Sequence, residues 1–274
     1  MATGPGGGKK RADELVFAQG LARSRSQAQA LIMAGQVMCG EKKVIKAGEQ
    51  WPSEAVFSLT ALRRFVSRGG HKLEGALEDL KVDPAGLAAL DVGASTGGFT
   101  DCLLQHGASS VTAVDVGRNL IDWGLRQDAR VTVIEGINAR RLTDVFTGAP
   151  PADTEQAVDS ACQGAVRQDI FDLAVIDVSF ISLELIIGQV AALMRPDGRI
   201  LAMVKPQFEV GRDKVGKKGV VKNQADIDEA VDKISAFGAG LVPPWREVGR
   251  APSRLPGPEG NREVFLLFEP VPLP

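Results

Sequence analysis

The stretch Leu90-Asp91-Val92-Gly93-Ala94-Ser95-Thr96-Gly97-Gly98-Phe99-Thr100 decides the fold of this chain. It joins an apolar run, residues 87–92, to a loop of small residues and then to a segment with helical character. A nearly unbroken apolar run is typical of a strand buried on both faces, and glycines allow positive φ angles and close approach to a ligand. The stretch therefore predicts a strand, loop and helix of an α/β domain, with a ligand beside the helix N-terminus.

The residues around this loop favour a nucleoside ligand. Asp115 ends the next predicted strand, 24 positions after Asp91, where a carboxylate accepts hydrogen bonds from ribose hydroxyls. Ser95 replaces the middle glycine of the dinucleotide fingerprint, and the Asp91 carboxylate would repel a pyrophosphate but suits the cationic amino group of S-adenosylmethionine. S-adenosylmethionine is therefore the expected cofactor, with NAD, and hence an NAD-dependent oxidoreductase, as the alternative. The expected cofactor-binding residues are Asp91, Gly93, Ser95, Gly97, Gly98, Phe99, Asp115 and Asn138, the last of which is equally well read as an exposed loop amide.

The composition of the 274 residues, 44% hydrophobic and 24% charged, is that of an ordinary globular protein. No apolar run approaches the roughly 18 to 20 residues of a membrane span, and the N-terminus has no signal-peptide hydrophobic region. We therefore expect a cytoplasmic protein that does not bind membranes. The three cysteines, Cys39, Cys102 and Cys162, are widely spaced, which argues against a disulfide framework or a zinc site, and no metal is expected.

The charge of the chain is distributed unevenly. Residues 1–64 contain ten Lys and Arg against five Asp and Glu, whereas the whole chain has a net charge of −2. A basic module on an acidic body is typical of proteins that bind a polyanion, although chance in a short segment is the alternative. The module is predicted to have a flexible tail, residues 1–10, followed by two short helices and small strands. Ser24 and Gln27 predict a capping box at the start of the second helix, which ends at Gly35.

The segment from Arg11 to Gly48 resembles the S4 RNA-binding domain. The resemblance rests on Arg11-Ala12-Asp13, Gly20-Leu21-Ala22-Arg23-Ser24-Arg25, Ala28, Leu31-Ile32, Ala34-Gly35 and Val37. It implies a small α+β RNA-binding domain, residues 11–62, and a linker, residues 63–70. The expected RNA-binding residues are Arg11, Arg23, Arg25, Lys42, Lys43 and Arg68.

Strands and helices alternate beyond Asp115, which predicts a mostly parallel sheet with ligands at the carboxyl ends of its strands. Further strands are predicted at 131–134, 171–176, 199–204 and 264–268, and helices at 181–194 and 226–237. Asp177 and Lys205 directly follow two of these strands. A lysine that shares a crevice with acids can act as a general base on a hydroxyl, with Asp177 and Glu263 to orient it. A solvated charge is the alternative for a lone lysine.

Five motifs, in order along the chain, resemble the TlyA family of RNA methyltransferases, which is also named hemolysin A. They are Ser67-Arg68-Gly69-Gly70-His71-Lys72-Leu73, Asp91 to Thr100, Asp177-Val178-Ser179-Phe180-Ile181-Ser182, Val204-Lys205-Pro206-Gln207-Phe208-Glu209 and Gly260-Asn261-Arg262-Glu263. The resemblance spans about residues 11–268, and the second half is also similar to the FtsJ/RrmJ ribose methyltransferases.

This resemblance implies a Rossmann-like class I methyltransferase domain, residues 71–274, with a mostly parallel seven-stranded sheet. Its implied activity is methyl transfer from S-adenosylmethionine to a ribose 2′-hydroxyl, in known members that of a cytidine in ribosomal RNA. The catalytic tetrad of the family falls on Lys72, Asp177, Lys205 and Glu263. Ribosomal RNA or a ribosomal subunit is the implied partner, and a monomer is expected. The name hemolysin suggests another alternative, that the protein is a membrane-active toxin. No strongly amphipathic segment supports this alternative.

Two further segments have a distinctive composition. Residues 209–222 contain five Lys and Arg against two acids, with interspersed glycines. They predict a mobile basic loop that closes over RNA phosphates, or a solvated loop. Residues 147–168, which include Pro150-Pro151, predict an inserted surface loop.

Overall fold

A computed structural model describes residues 8–59, 64–147 and 170–272. The chain divides into two compact units between Arg64 and Phe65, and each unit has its own hydrophobic core. The predicted insertion lies outside the described residues, apart from Thr147, which ends a helix.

The first unit is a small α+β module. Its elements are β1 (Lys9–Arg11), α1 (Ala12–Ala18), α2 (Arg25–Met33), β2 (Val37–Cys39), β3 (Lys42–Lys43), β4 (Gln50–Pro52) and β5 (Ser58–Leu59). Strand β1 pairs with β4, and β2 lies between β3 and β5. The apolar faces of α1 and α2 pack on a core that includes Val37 and Phe57.

Local capping signals located α2 correctly. Ser24 Oγ accepts a hydrogen bond from Gln27 N at 3.1 Å, and the Gln27 side chain accepts one from Arg23 N at 2.7 Å. The predicted flexible tail extends too far, because Lys9 and Lys10 belong to β1. A run of basic residues carries no apolar alternation, and the pairing of β1 with β4 is a long-range contact that local patterns do not reveal.

The second unit is built on one sheet, which has seven strands among the described residues. Its helices are α3 (Arg68–Asp79), α4 (Gly98–Gln105), α5 (Trp123–Arg126), α6 (Leu142–Thr147), α7 (Ile187–Ala191), α8 (Pro206–Glu209) and α9 (Gln224–Ala239). Its strands are β6 (Ala88–Val92), β7 (Ser110–Asp115), β8 (Val131–Glu135), β9 (Phe171–Ile176), β10 (Met194–Val204), β11 (Trp245–Pro252) and β12 (Val264–Pro270). The strand order is β11-β12-β10-β9-β6-β7-β8.

The sheet is mostly parallel, as predicted. Strands β10, β9, β6, β7 and β8 run parallel, whereas β12 pairs antiparallel with both β10 and β11. Neighbouring residues of a strand point to opposite faces. Accordingly, Ala89 packs in the core cluster that includes α3 and α4, and Leu90 packs in the cluster that includes α7 and α9. Burial on both faces explains why the central strands are continuous apolar runs.

The largest differences from the predicted elements concern one helix, the linker and one strand. The predicted helix 181–194 is instead a short 3-10 turn, Leu183–Leu185, followed by α7, and its last residue, Met194, already belongs to β10. Helix α3 begins at Arg68, so the end of the predicted linker is helical. Strand β11 was not predicted, because it is an edge strand whose pairing shifts register between Glu247 and Gly249, which weakens its alternation.

Candidate active site

The glycine loop follows β6 and leads into α4. Gly93 has φ +86°, and a Cβ atom at this position would lie 2.6 Å from the backbone oxygen of Asp177. Because that neighbour is backbone, no side chain fits here without displacing the end of β9. Gly97 caps α4 in the left-handed conformation, with φ +91°. The loop backbone is therefore packed directly against the strand end that carries Asp177.

The first two residues of α4, Gly98 and Phe99, pack against neighbouring elements. A Cβ atom at Gly98 would overlap Ser67 Oγ and lie 3.0 Å from Gly70 N. The Phe99 ring is buried and stacks on Phe265, with 6.1 Å between ring centroids. Both residues therefore serve packing between elements.

A cavity of about 490 Å³ opens at the carboxyl ends of β6, β7 and β9. Four of the predicted cofactor-binding residues line it, namely Gly93, Ser95, Asp115 and Asn138. Its other lining residues are Val114, Val116, Leu120, Ile137, Ala139, Arg140, Asp177, Val178, Ser179, Phe180 and Ile181. The structure thus brings half of the predicted set to one cavity, whereas the other four, Asp91, Gly97, Gly98 and Phe99, are not among its lining residues.

Backbone groups orient the Asp115 carboxylate at the cavity. It accepts hydrogen bonds from Ser95 N at 2.8 Å and from Gly117 N at 2.6 Å. Ser95 adopts φ +49° to make its contact. Asn138 caps the short 3-10 helix Ala139–Arg141 by accepting from Arg140 N at 3.1 Å. Carboxylate and amide groups thus face the cavity from two neighbouring strand ends.

Asp91 is fully buried beneath the loop. Thr100 Oγ1 donates to Asp91 Oδ2 at 2.6 Å, and Asp91 Oδ1 has no hydrogen-bond partner. Burial raises the pKa of Asp91 to about 7, with a further contribution from the charge of Asp177 and opposition from the Thr100 hydrogen bond. An orphaned buried carboxylate oxygen is unusual in proteins, so this site has capacity for one more donor or cation.

The four predicted catalytic residues form two ion pairs. Lys205 Nζ lies 2.5 Å from Asp177 Oδ1 and donates to Ser179 Oγ at 2.8 Å. Lys72 Nζ donates to Glu263 Oε2 at 2.5 Å. The register of β10 against β12, with Val204 opposite Val264, places Lys205 beside Glu263. The sequence predicted that Glu263 orients Lys205, but its ion-pair partner is Lys72.

Residues 65–269 match the FtsJ-like methyltransferase family, and residues 10–50 match the S4 domain family. The chain is 42% identical to the 16S/23S rRNA (cytidine-2'-O)-methyltransferase TlyA of Mycobacterium tuberculosis, covering 94% of this chain and 89% of that protein. This chain belongs to the TlyA family of FtsJ-like methyltransferases.

Other members of the TlyA family are similar over most of the chain. The Hemolysin A of Brachyspira hyodysenteriae is 34% identical, covering 94% of this chain and 99% of that protein. A solved structure of a candidate hemolysin from Streptococcus thermophilus is 36% identical, with a TM-score of 0.64, covering 98% of this chain and 90% of that chain. Within residues 8–59, 64–147 and 170–272, no helix is long and apolar enough to cross a membrane. The same ranges contain no group of three or more His, Cys, Asp and Glu side chains that would hold a metal ion.

Sequence reasoning missed one residue at the cavity mouth of this methyltransferase. Phe180 is 90% exposed, has φ +65° and packs its ring on Phe208 with 5.2 Å between centroids. The sequence signal for Phe180 was its position between Asp177 and Ile181, within one of the family's motifs. An exposed aromatic ring in a strained backbone conformation is more typical of a binding surface than of a core.

Asn261 was also missed, and it changes the interpretation of the basic loop. This buried side chain donates to Gly219 O at 2.8 Å and accepts from Val221 N at 3.0 Å. Lys214, nearer the start of the loop, forms ion pairs with Asp226 and Glu229. The loop predicted to be mobile is therefore held at both places. The residue that holds its second half, Asn261, is two positions from Glu263.

The predicted RNA-binding residues of the first unit are mostly exposed and partly paired. Arg11 and Arg25 both contact the buried Asp13, and Lys42 pairs with Glu49 at 2.9 Å. The Lys42–Glu49 pair is a surface pair and contributes little stability, so phosphate oxygens can replace the Glu49 carboxylate. Arg23 and Lys43 are exposed, and Arg68, in the second unit, donates to Pro256 O at 3.2 Å.

Proposed function

We propose that this chain transfers a methyl group from S-adenosylmethionine to the ribose 2′-hydroxyl of a cytidine in ribosomal RNA. The observation that carries the proposal is the pair of contacts, Lys205 with Asp177 and Lys72 with Glu263, of which Asp177 also lines the glycine-loop cavity. The reaction needs an aligned hydroxyl, a destination for its proton and a neighbouring methyl donor. Each requirement has a candidate group at this edge of the sheet.

The cavity fits the cofactor in chemistry, and its volume of about 490 Å³ lies within the range of small-molecule sites. Asp115, held by two backbone N–H groups, would accept from the ribose hydroxyls, and Asn138 would contact the adenine edge. The orphaned oxygen of Asp91 supports a role in holding the cationic amino group. Gly93 and Ser95 would let the backbone approach the ligand. Gly97, Gly98 and Phe99 would act indirectly by fixing the loop and α4. When bound, S-adenosylmethionine supplies a methyl group on a sulfonium, which is already a good leaving group.

Lys205 and Asp177 are the proposed reacting pair. An ammonium group has three donors, so Lys205 retains an N–H for the ribose oxygen besides its contacts to Asp177 and Ser179. That N–H would stabilise the negative charge that develops on the oxygen. The proton released from the hydroxyl would pass to the Asp177 carboxylate, since the Lys205 ammonium has no lone pair to accept it. Lys72, fixed by Glu263, would position the nucleotide on the other side.

Phe180 is the proposed contact for the target base. A ribose buried inside a folded RNA reaches an active site only when its nucleotide is turned outward, and an exposed aromatic ring then offers a stacking surface. Stacking on an aromatic side chain contributes about 1–3 kcal/mol per base. The 90% exposed ring beside Ser179 meets this description.

The remaining proposals concern RNA binding and domain roles. Residues 11–62 would form the RNA-binding domain and residues 71–274 the catalytic domain. The basic groups of the first unit, with Arg68, would contact phosphates, which give affinity without sequence choice. Because the proposed substrate is ribosomal RNA, the proposed place of action is the cytoplasm. Neither the oxidoreductase nor the membrane-active alternative is favoured for a member of this family.

Methyl transfer from labelled S-adenosylmethionine to separate ribosomal subunits, followed by mapping of the modified ribose, tests the proposal. Wild-type protein should label one defined ribose or a few, and Lys205→Ala should lower the rate by about 100-fold or more while RNA and cofactor still bind. The exposed Lys81→Ala is the matched control and should retain wild-type activity. Absence of label in the RNA of both subunits, or full activity of Lys205→Ala, would refute the proposal.

A further inference from the structure

Glu209 is a buried carboxylate that the proposed chemistry leaves unused. It ends α8, four residues after Lys205, and only 8% of its surface is exposed. Its Oε2 accepts from Ser182 Oγ at 2.6 Å, and its Oε1 accepts from Leu183 N at 2.9 Å. Lys233 Nζ lies 3.8 Å from Oε2. Burying a carboxylate is costly unless hydrogen bonds and an opposite charge compensate it, so these contacts are what allow Glu209 to be buried here.

The contacts of Glu209 complete a clamp on the loop that carries Asp177 and Phe180. Lys205 holds the start of this loop through Asp177 and Ser179, and Glu209 holds its end. Between the two anchors lies Phe180, with φ +65° and its ring on Phe208. A non-glycine residue stays in this conformation only where its surroundings fix it. The short segment 205–209 thus fixes both ends and the middle of the loop.

We propose that Glu209 is a positioning residue for the methyl-transfer reaction, which acts through Phe180 by holding its ring where a nucleobase can stack beside Lys205. The proposal rests on the proposed function. A carboxylate suits the task because it accepts from the Ser182 hydroxyl and the Leu183 N–H at once. Glutamine preserves the size of Glu209 but has no charge and one acceptor oxygen instead of two, so Glu209→Gln loses the charge-assisted strength of these contacts.

A double-mutant cycle tests whether Glu209 acts through Phe180. Initial rates with saturating cofactor should show a loss in kcat of about 5- to 150-fold for Phe180→Ala, the range that loss of one base stack gives. Glu209→Gln should lower kcat severalfold, with the KM for S-adenosylmethionine unchanged. The double variant should be no slower than Phe180→Ala within a factor of two, because the second change acts on a ring that is already absent. Multiplied losses in the double variant, or a wild-type kcat for Glu209→Gln, would overturn the proposal.

Two further variants complete the test. If Glu209→Gln does not fold, Ser182→Ala removes the donor on the other side of the same contact and should give the same non-additive pattern. Glu78 is exposed and pairs with Arg254. Glu78→Gln is the matched control, and its effect on kcat should multiply with that of Phe180→Ala, as the effects of two independent sites do.

A measurement without catalysis separates this inference from the proposed function. Phe180→Trp places a reporter at the ring position, and its iodide quenching is read as the difference from the three native tryptophans. Glu209→Gln should change this quenching, since the reporter loses its fixed position. Unchanged quenching would refute the positioning role even if the wild type methylates RNA. Changed quenching in a protein that does not methylate RNA would refute only the proposed function.

Discussion

Substitution of Asp91 by asparagine should change stability in opposite directions at high and low pH. The pKa of the buried Asp91 is raised to about 7 in the folded chain, against an ordinary value of 3.8. Between these values the folded state binds more protons than the unfolded state, so the free energy of unfolding falls as pH rises from about 4 to about 7. This is the reverse of the usual aspartate, whose pKa is lowered on folding. Asparagine has no charge to bury and removes this dependence.

The magnitude follows from the two pKa values and from the Thr100 contact. A shift of about three pKa units corresponds to about 4 kcal/mol of penalty for the charged form at pH 8. Asparagine can accept from Thr100, but its amide N–H would occupy the place of the unpartnered Oδ1, at a cost of about 1–3 kcal/mol. Asp91→Asn should therefore be more stable than wild type by about 1–3 kcal/mol at pH 8 and less stable by a similar amount at pH 4.

Urea unfolding of the full chain at several pH values between 4 and 8 measures the difference between variant and wild type. The exposed Asp83→Asn serves as the control and should follow wild type throughout. A second measurement is cofactor affinity, which Asp91→Asn should weaken at pH 8 because the orphaned oxygen is no longer a carboxylate. A stability difference that does not vary with pH would refute the assignment of a penalised buried charge to Asp91.

Three other variants test separate contacts. Gly93→Ala should lower stability by at least about 1–2 kcal/mol from its left-handed backbone alone, and should reduce cofactor binding by displacing Asp177; unchanged thermal unfolding would count against this. Arg11 holds the pKa of Asp13 down at about 2, so this carboxylate adds stability that is present above about pH 4 and lost as pH falls through 2. Asp13→Asn should therefore cost about 2 kcal/mol at pH 7 and nothing near pH 2 in urea unfolding of the first unit. Asn261→Ala should speed amide hydrogen exchange at residues 219–221 and weaken RNA binding. Equal exchange rates in variant and wild type would show that the Asn261 hydrogen bonds do not hold this segment.

Much of the fold was predictable because its signals are local. The β6 strand, the glycine loop and α4 follow from one continuous pattern, and the capping box of α2 lies within four residues. The 181–194 helix was wrong because an apolar run between two strands does not distinguish a helix from a turn leading into β10. Strand β11 exists through its pairing with β12, which no local pattern encodes.

The residues of the candidate site could be predicted from the sequence, but the ion pairs that they form could not. Strand ends placed Asp177 and Lys205 at one edge of the sheet, as the sequence indicated. No local pattern assigns Glu263 to Lys72, because that contact joins residues 191 positions apart. Asp91 shows the same limit, since a strand-end carboxylate can point to the cavity or beneath the loop according to packing alone.

The contact between Gly98 and the start of α3 has a consequence for how these motifs can vary. Ser67 and Gly70 occupy the space that a side chain at Gly98 would need, and Lys72 lies one half-turn further along α3. The cofactor loop and the lysine-bearing helix are therefore one steric unit, although the sequence presents them as two separate motifs. Gly98 cannot gain a methyl group unless the start of α3 retreats, so compensating changes should arise jointly across this contact.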